Sequence, residues 1–318
     1  MKHRIYPHRI NGRFYNPEEE VVPLNFWKSA AMFLHFLFKQ RSQQLDKHLW
    51  TSAVPIVGDK DKPSFVWIGH ATFLIQLGGL TILTDPLFDT ISFLFPRIAE
   101  PGIPFDLLPK IDVVLISHNH PDHYDSAILK KLFLRDKPLF LVPYGDKNHL
   151  ESQGIDSVQE FSWWERLSVN SVEFAFLPAY HWSQKSFFDR NKSLWGSWMI
   201  QHATQTVYFA GDTAYSPHFK AIAQEYAHID VALMPIGPCE PEEWMKFSHV
   251  TAEDSVKAFL ELGARHFVPM HWGTYFFGLD EVMLPMERLI RFWENSKDTM
   301  NDRMIHVVKF GEQKYIDS

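Results

Sequence analysis

The 318-residue chain has almost no cysteine: Cys239 stands alone, which excludes an internal disulfide framework and any site built from several thiolates. A basic surplus is also missing. Lys and Arg number 31 against 38 Asp and Glu, a formal charge of −7, whereas general nucleic-acid binding needs a positive field. No apolar run is long enough to cross a bilayer. The longest, residues 26–38 (FWKSAAMFLHFLF), is broken by Lys28, Ser29 and His35. As a helix it would measure roughly 20 Å against a hydrocarbon core of roughly 30 Å. The basic start (Lys2, Arg4, Arg9, Arg13) does not lead into an apolar stretch with a small-residue cleavage site. No secretory signal is therefore expected, and a cytoplasmic location is the default. What the chain has in excess is 17 His, 27 Phe and 11 Trp, which implies a large aromatic core or surface meant for apolar material.

Charge is unevenly spread. Residues 1–50 carry eight basic side chains (Lys2, Arg4, Arg9, Arg13, Lys28, Lys39, Arg41, Lys47) and four acidic ones (Glu18, Glu19, Glu20, Asp46), so the remainder is strongly acidic. Within this stretch Trp27, Ala31, Leu34 and Phe38 recur at helical spacing, while Phe33, Phe36 and Leu37 extend the apolar surface nearly all round. Two readings stand: a helix buried against the main body, or one that touches a membrane or shelters a lipid with its basic flanks. Residues 1–60 are read as an N-terminal arm on or beside a main domain of residues 61–318.

From residue 64 the pattern changes. Residues 64–69, 72–77 and 80–84 read as short strands separated by Gly69-His70 and Gly78-Gly79, the second pair of strands as a hairpin. Residues 111–117, IDVVLIS, form an apolar strand that opens into the polar HNHPDH and then a helix over 126–134. Further strands are expected at 138–142, 172–177, 197–201, 206–210, 231–235, 267–270 and 305–309. Helices are expected at 145–152, 217–226, 251–262 and 280–295, with Glu253 and Asp254 in a first turn where the helix dipole favours them. This alternation predicts an α/β sandwich, two packed sheets with helices outside. IDVVLIS is echoed by IDVALMP at 229–235, a hint of a duplicated half.

Chemistry concentrates in His118-Asn119-His120-Pro121-Asp122-His123. On a strand these side chains would alternate between two faces; in a loop beyond a strand end they can converge. Nitrogen and oxygen ligands at that density suit Zn²⁺. The plain alternative is a polar turn of solvated histidines. Three more ligand types sit just past apolar strands: His181 in PAYHW, Asp212 in FAGDTAY and His271 in VPMHWGT. Each alone is an ordinary loop residue. Together they gather on one edge of a sandwich, the place where open α/β sheets bind ligands.

HxHxDH, a distant His, a GD and a late His are similar to the pattern of metallo-β-lactamase-fold hydrolases. The chain most resembles the branch containing N-acyl-phosphatidylethanolamine-hydrolysing phospholipase D, over about residues 65–311, in WIGHATFLIQL, LTDPLF, IDVVLISHNHPDHYD, FSWWE, LWGSW, FAGDTAYSP, MPIGPCEPEEWMKFSHV, MHWGT and FGE. The resemblance implies an αββα sandwich of two mixed sheets and a two-zinc centre. His118, His120 and His181 would bind the first ion, Asp122, His123 and His271 the second, and Asp212 would bridge them. Iron or manganese also serves in the wider superfamily. Two Zn²⁺ with Asp122, Asp212 and a bridging hydroxide leave a formal charge of about +1, which suits an anionic phosphodiester. Asp122, Asp212 and His249 would be the catalytic side chains.

His249, in FSHV, has two readings: a donor to the phosphate or leaving group, or a core or capping histidine before the helix at 251. Asp85, in LTDP, would orient a ligand histidine or its loop, or would be a turn residue ahead of Pro86. His70 and Tyr215 are candidates for substrate contact. Trp163, Trp164, Trp182, Trp195, Trp198 and Trp272 read as core or loop anchors, some of which could line an acyl pocket. Residues 87–95 form a second apolar surface, at the site entrance if they follow Asp85 there. The expected reaction is hydrolysis of an N-acyl-phosphatidylethanolamine-like lipid to an N-acylethanolamine and phosphatidic acid. The rival is a soluble hydrolase of the same fold acting on a small phosphoester, lactone or cyclic nucleotide. The expected partners are a phospholipid or small anionic phosphodiester, with peripheral contact at the inner face of a membrane, no nucleic acid, and a homo-oligomer left open.

Overall fold

The computed structural model describes residues 4–17, 50–52 and 62–316; the apolar segment 26–38 lies outside them. The chain begins with a small hairpin, β1 (His8–Ile10) and β2 (Arg13–Tyr15). Apolar and β-branched runs between glycine-bearing turns then fold as two seven-stranded sheets. The first opens with β3 (Ser64–Gly69), β4 (Thr72–Leu77) and β5 (Leu80–Thr84), all antiparallel. Gly78 and Gly79 make the β4–β5 turn at φ 58° and 76°, angles that tight hairpins require and glycine adopts without strain. Parallel β6 (Val113–Leu115), β7 (Leu139–Pro143) and β8 (Val158–Phe161) follow, joined through helices α1 (Ser126–Asp136) and α2 (Lys147–Ser152).

The second sheet repeats the plan. β9 (Arg166–Val169), β10 (Val172–Leu177), β11 (Ser197–His202) and β12 (Gln205–Phe209) are antiparallel; β13 (Val231–Pro235), β14 (His266–Met270) and β15 (Met304–Ile305) add in parallel. Helices α3 (His218–Glu225), α4 (Glu242–Met245), α5 (Ala252–Leu262), α6 (Leu284–Asn295) and α7 (Lys297–Met300) connect them. β16 (Gln313–Tyr315) returns to the first sheet beside β3. The strand orders β16-β3-β4-β5-β6-β7-β8 and β9-β10-β11-β12-β13-β14-β15 correspond place by place, so the IDVVLIS and IDVALMP strands hold equivalent positions in their sheets. Their aspartates act alike: Asp112 Oδ2 accepts the Thr81 N–H at 2.9 Å, and Asp230 Oδ2 accepts the Thr206 N–H at 2.7 Å.

Alternation along the strands builds the layers. Phe73, Ile75 and Leu77 of β4 enter the core between the sheets, while Leu74 joins an outer cluster with Ile128, Leu129 and Leu132 of α1. On the far side Val256 and Phe259 of α5 pack against the second sheet. The layer order is helix, sheet, sheet, helix, as expected. The strand expected over 111–117 pairs only at Val113–Leu115. The one expected at 305–309 stops at Ile305, because the chain crosses to the first sheet, where Phe310 and Gly311 donate to the Trp50 and Trp67 carbonyls at 2.8 Å. Among the described residues no helix is long and apolar enough to cross a membrane.

Candidate metal centre

Strand ends deliver the polar side chains. His70 follows β3, Asp85 β5, the loop of residues 118–123 β6, His181 β10, Asp212 β12 and His271 β14. His70, Asp85 and His271 sit in the left-handed region at φ 53°, 32° and 63°. Non-glycine residues hold such angles at a cost of about 1–3 kcal/mol each, and such strain clusters at functional sites.

His118 Nε2 and His181 Nε2 lie 2.9 and 3.1 Å from His120 Nδ1, with all three rings buried. His118 donates its Nδ1–H to Ser117 Oγ (2.9 Å), and that hydroxyl donates to Asp85 Oδ2 (2.5 Å). His181 donates its Nδ1–H to the Ser248 carbonyl (2.7 Å). Both Nε2 lone pairs are thereby aimed at one point beside His120 Nδ1. Three imidazole nitrogens cannot satisfy one another there; the point fits a cation.

A second group adjoins the first. Asp122 Oδ2 meets His70 Nε2 (3.0 Å), His123 Nε2 (3.3 Å) and His271 Nε2 (3.7 Å). Asp212 stands between the groups: its Oδ2 lies 3.8 Å from His181 Nε2 and 3.4 Å from His123 Nε2, and its Oδ1 lies 3.2 Å from His271 Nε2. His123 donates its Nδ1–H to Asp85 Oδ2 at 2.7 Å, which leaves its Nε2 facing the two carboxylates. The Nε2 atoms of His120, His123 and His271, Asp212 Oδ1 and His249 Nδ1 are buried without a hydrogen-bond partner. Buried polar atoms are normally paired, so this concentration of orphans marks a ligand site. Imidazole and carboxylate without thiolate suit zinc, iron or manganese.

Electrostatics divide the ligands. At two rings burial is outweighed by the carboxylates of Asp212 and Asp122, which hold His123 above the usual imidazole range and His271 at about 9. Without a cation these rings carry the positive charge that the carboxylates demand. Burial holds His118 and His181 well below the usual imidazole range and brings His120 and His249 down to about 4, so these rings are neutral at pH 7, the form that ligates. Burial also opposes the charges of Asp122 and Asp212, but the neighbouring His123 and His271 outweigh it and keep both carboxylates ionised. Burial pushes the Asp85 carboxyl up, against the pull of His123 and Ser117.

The structure thus brings together His118, His120, Asp122, His123, His181, Asp212 and His271, and adds His70, which stands behind Asp122 with 1% exposure rather than on an open wall. His249 Nδ1 lies 3.6 Å from Asp212 Oδ2. Its capping alternative falls away, because Thr251 Oγ1 accepts the Asp254 N–H and caps α5 itself. Tyr215 is not brought to the cluster: its hydroxyl donates to Glu261 Oε1 (2.7 Å) and its ring stacks on Phe219, because the chain turns outward into α3 after Ala214. Cys239 is buried elsewhere, its thiol donating to the Ile236 carbonyl. Sequence reasoning missed Asn119, whose side chain donates to Asp146 Oδ1 (2.8 Å), and the Ser193 hydroxyl that donates to the same oxygen. It also missed Ser117, although that residue sits directly between strand and loop.

A cavity of about 630 Å³ opens over the cluster. His120, Asp122, Asp212, His249 and His271 form its floor; Phe95, Trp182, Met245 and Phe277 form apolar walls, and Lys185 brings a cation. Of the six tryptophans singled out above, Trp182 lines this cavity, while Trp163, Trp164, Trp195, Trp198 and Trp272 are buried. Residues 87–95 divide: Leu87 and Phe88 are core, Phe93 is 87% exposed and Phe95 faces the cavity.

Residues 81–272 match the model of the beta-lactamase superfamily domain, and the chain belongs to that superfamily of metallo-β-lactamase-fold proteins. It is 36% identical over 266 residues to the mitochondrial N-acyl-phosphatidylethanolamine-hydrolyzing phospholipase D of Saccharomyces cerevisiae, a match taking in 79% of this chain and 56% of that protein, little more than half its length. With N-acyl-phosphatidylethanolamine-hydrolyzing phospholipase D 1 of Caenorhabditis elegans the identity is 31% over 262 residues, covering 77% of this chain and 74% of the relative. Igni18, a metallo hydrolase from Ignicoccus hospitalis, shares the fold at a TM-score of 0.62 and 20% identity, over 81% of this chain and 99% of its own.

Proposed function

We propose that this chain is a metal-dependent phosphodiesterase that cleaves N-acyl-phosphatidylethanolamine-like lipids in the manner of phospholipase D, giving an N-acylethanolamine and phosphatidic acid. The observation that carries the proposal is the cavity itself, a floor of ligand side chains under aromatic walls. It matches a molecule with one anionic diester and an apolar tail. The relatives' named substrate supports the same reading.

In this reading His118, His120 and His181 would hold one zinc ion and Asp122, His123 and His271 a second, with Asp212 standing between the two sets. Bound there, the ions would supply Lewis acidity toward a phosphoryl oxygen and an acidified water at neutral pH. The chain's own groups do the rest. Asp85 sets the tautomers of His123 directly and of His118 through Ser117, so that both present Nε2. Neutral His249, on the cavity floor, donates a hydrogen bond to the diester, and Asp122 and Asp212 carry the negative charge that balances the cations. Phe95, Trp182 and Phe277 keep water from the acyl side.

The mouth favours a lipid as well. The exposed phenylalanines among the described residues are Phe93, Phe187, Phe188 and Phe247, and each lines the cavity or lies within two residues of a side chain that does. Such a ring of apolar tips calls for an apolar contact, here the peripheral face of a membrane. The described N-terminal hairpin packs Phe14 into the core of the main body.

The deciding experiment incubates the zinc-loaded chain with N-acyl-phosphatidylethanolamine in mixed micelles and identifies the products. Release of N-acylethanolamine and phosphatidic acid is expected. Turnover of small phosphodiesters, lactones or cyclic nucleotides with an inert lipid would overturn the proposal in favour of the soluble hydrolase.

A further inference from the structure

The hairpin at the start of the chain reaches the metal cluster through one side chain. Along β2 and the residue after it, burial alternates: Arg13 and Tyr15 are partly exposed, Phe14 and Asn16 are 5% exposed. Period-two alternation makes 14 and 16 inward positions, where an apolar residue is the default. Phe14 obeys and Asn16 does not. A buried amide is costly unless both its ends are bonded, and here both are. Asn16 Oδ1 accepts from Trp195 Nε1 (3.1 Å), which fixes which end of the amide faces which way. Asn16 Nδ2 then donates to the His181 carbonyl at 2.9 Å.

His181 is thus held twice. Its ring is oriented by the Ser248 carbonyl on Nδ1, and its backbone by Asn16. The same hairpin grips the far end of the loop that His181 begins: Phe14 donates its N–H to the Asn191 carbonyl (2.7 Å), and the Arg13 guanidinium donates to the Arg190 carbonyl. Asn191 in turn accepts the Ser183 N–H on its side chain (3.2 Å) and donates its own N–H to the Ser183 carbonyl (2.7 Å). A strand lying outside residues 81–272, the part matched by the superfamily model, therefore clamps both ends of the segment that supplies His181.

We infer that Asn16 is a positioning residue for the metal centre: it sets the backbone of His181 so that Nε2 meets His118 and His120, and cation affinity depends on it. The inference rests on the metal-binding part of the reading above and is independent of the substrate.

The test compares Asn16→Leu and Asn16→Asp with Phe14→Ala in the full chain. All three disturb the hairpin, but only the first two change what faces the His181 carbonyl. Leu leaves that carbonyl unpaired at nearly constant volume; Asp sets an oxygen against it. Zinc affinity is read by competition with a chromophoric chelator, and ligand geometry by the visible absorption of the cobalt-loaded proteins, both at a temperature where circular dichroism shows every variant folded. The expected result is a loss of about 10- to 100-fold in zinc affinity for both Asn16 variants, with an altered cobalt spectrum. Phe14→Ala should melt lower yet keep the wild-type affinity and spectrum. Equal affinity loss in Phe14→Ala and Asn16→Leu would mean that the hairpin acts through stability alone and would overturn the inference. So would an Asn16→Leu protein with wild-type affinity and spectrum. A wild-type chain that took up no metal would overturn the site reading and this inference together, whereas metal uptake without lipid turnover would remove only the proposed substrate.

Discussion

Asp85→Asn tests how the centre is held together, because the change keeps size and shape while altering a pattern of donors. Asp85 is fully buried. Its Oδ1 accepts the Ser117 N–H (2.7 Å); its Oδ2 accepts the Ser117 hydroxyl (2.5 Å) and the His123 Nδ1–H (2.7 Å). Asparagine fails in either orientation. With its NH₂ in the Oδ2 place it donates to His123 Nδ1, which moves that ring's proton to Nε2. The Ser117 hydroxyl must then donate to His118 Nδ1 instead of accepting from it, so His118 too carries its proton on Nε2. With the amide reversed, two N–H groups meet at Ser117. One substitution therefore caps two of the nitrogens that face the cations. Removing one supporting partner of a metal-bound histidine costs about 10- to 100-fold in affinity. Two rings give a loss of roughly 10²- to 10⁴-fold, or about 2.7–5.5 kcal/mol. Ser117→Ala breaks only the His118 relay and should cost a single such factor. Zinc competition against a chromophoric chelator measures both variants. A folded Asp85→Asn protein that binds zinc as tightly as wild type would refute the tautomer argument.

Three further outcomes are expected. Burial raises the Asp146 carboxyl from its ordinary 3.8 to about 7, against the bonds from Ser193 and Asn119. Its folded-state pKa lies above the unfolded one, so the stability it contributes is complete below pH 4 and is lost as pH rises through 7, by at most about 4 kcal/mol. Asp146→Asn should therefore match wild type in thermal melts only below about pH 4, gain on it steadily between about pH 4 and 7, and outlast it most at about pH 8; parallel melting profiles would contradict this. His249→Asn should keep its metal content yet lose about 100-fold in kcat on a diester, and an unchanged kcat would remove His249 from the reaction. Replacing Phe93, Phe188 and Phe247 together with serine should abolish co-sedimentation with phosphatidylcholine vesicles and spare turnover of a small soluble diester. Intact vesicle binding would show that the exposed rings serve some other contact.

What the sequence disclosed follows from how each group works. HNHPDH, PAYHW, FAGDTAY and VPMHWGT were legible because each places a ligand type immediately past an apolar run, and strand ends on one edge of a sandwich must converge. β3, β4, β5, β10 and β13 were legible at their observed limits because both their faces are buried and glycines or polar turns bound them. β8 (VQEF) and β9 (RLSV) were not, since half their residues face solvent and neither run is long enough to show a period. Asn16, Ser193 and the Ser248 carbonyl leave no local mark: a polar residue that matters only through what the fold sets beside it looks like any other. Tyr215 misled for the opposite reason. Its neighbour Asp212 belongs to the cluster, but the intervening turn points the ring toward α5.

The matching strand orders of the two sheets have a mechanical consequence. Matched strands supply matched groups: His70 and His181 follow β3 and β10, Asp85 and Asp212 follow β5 and β12. Yet one aspartate braces imidazoles from behind while its counterpart looks across the seam. Neither half holds a full coordination shell. A cation seated there is a rivet through two plates, and by mass action it must tighten their apposition as much as it serves any substrate. Heat or denaturant that first parts the two sheets should expel the ion in the same event.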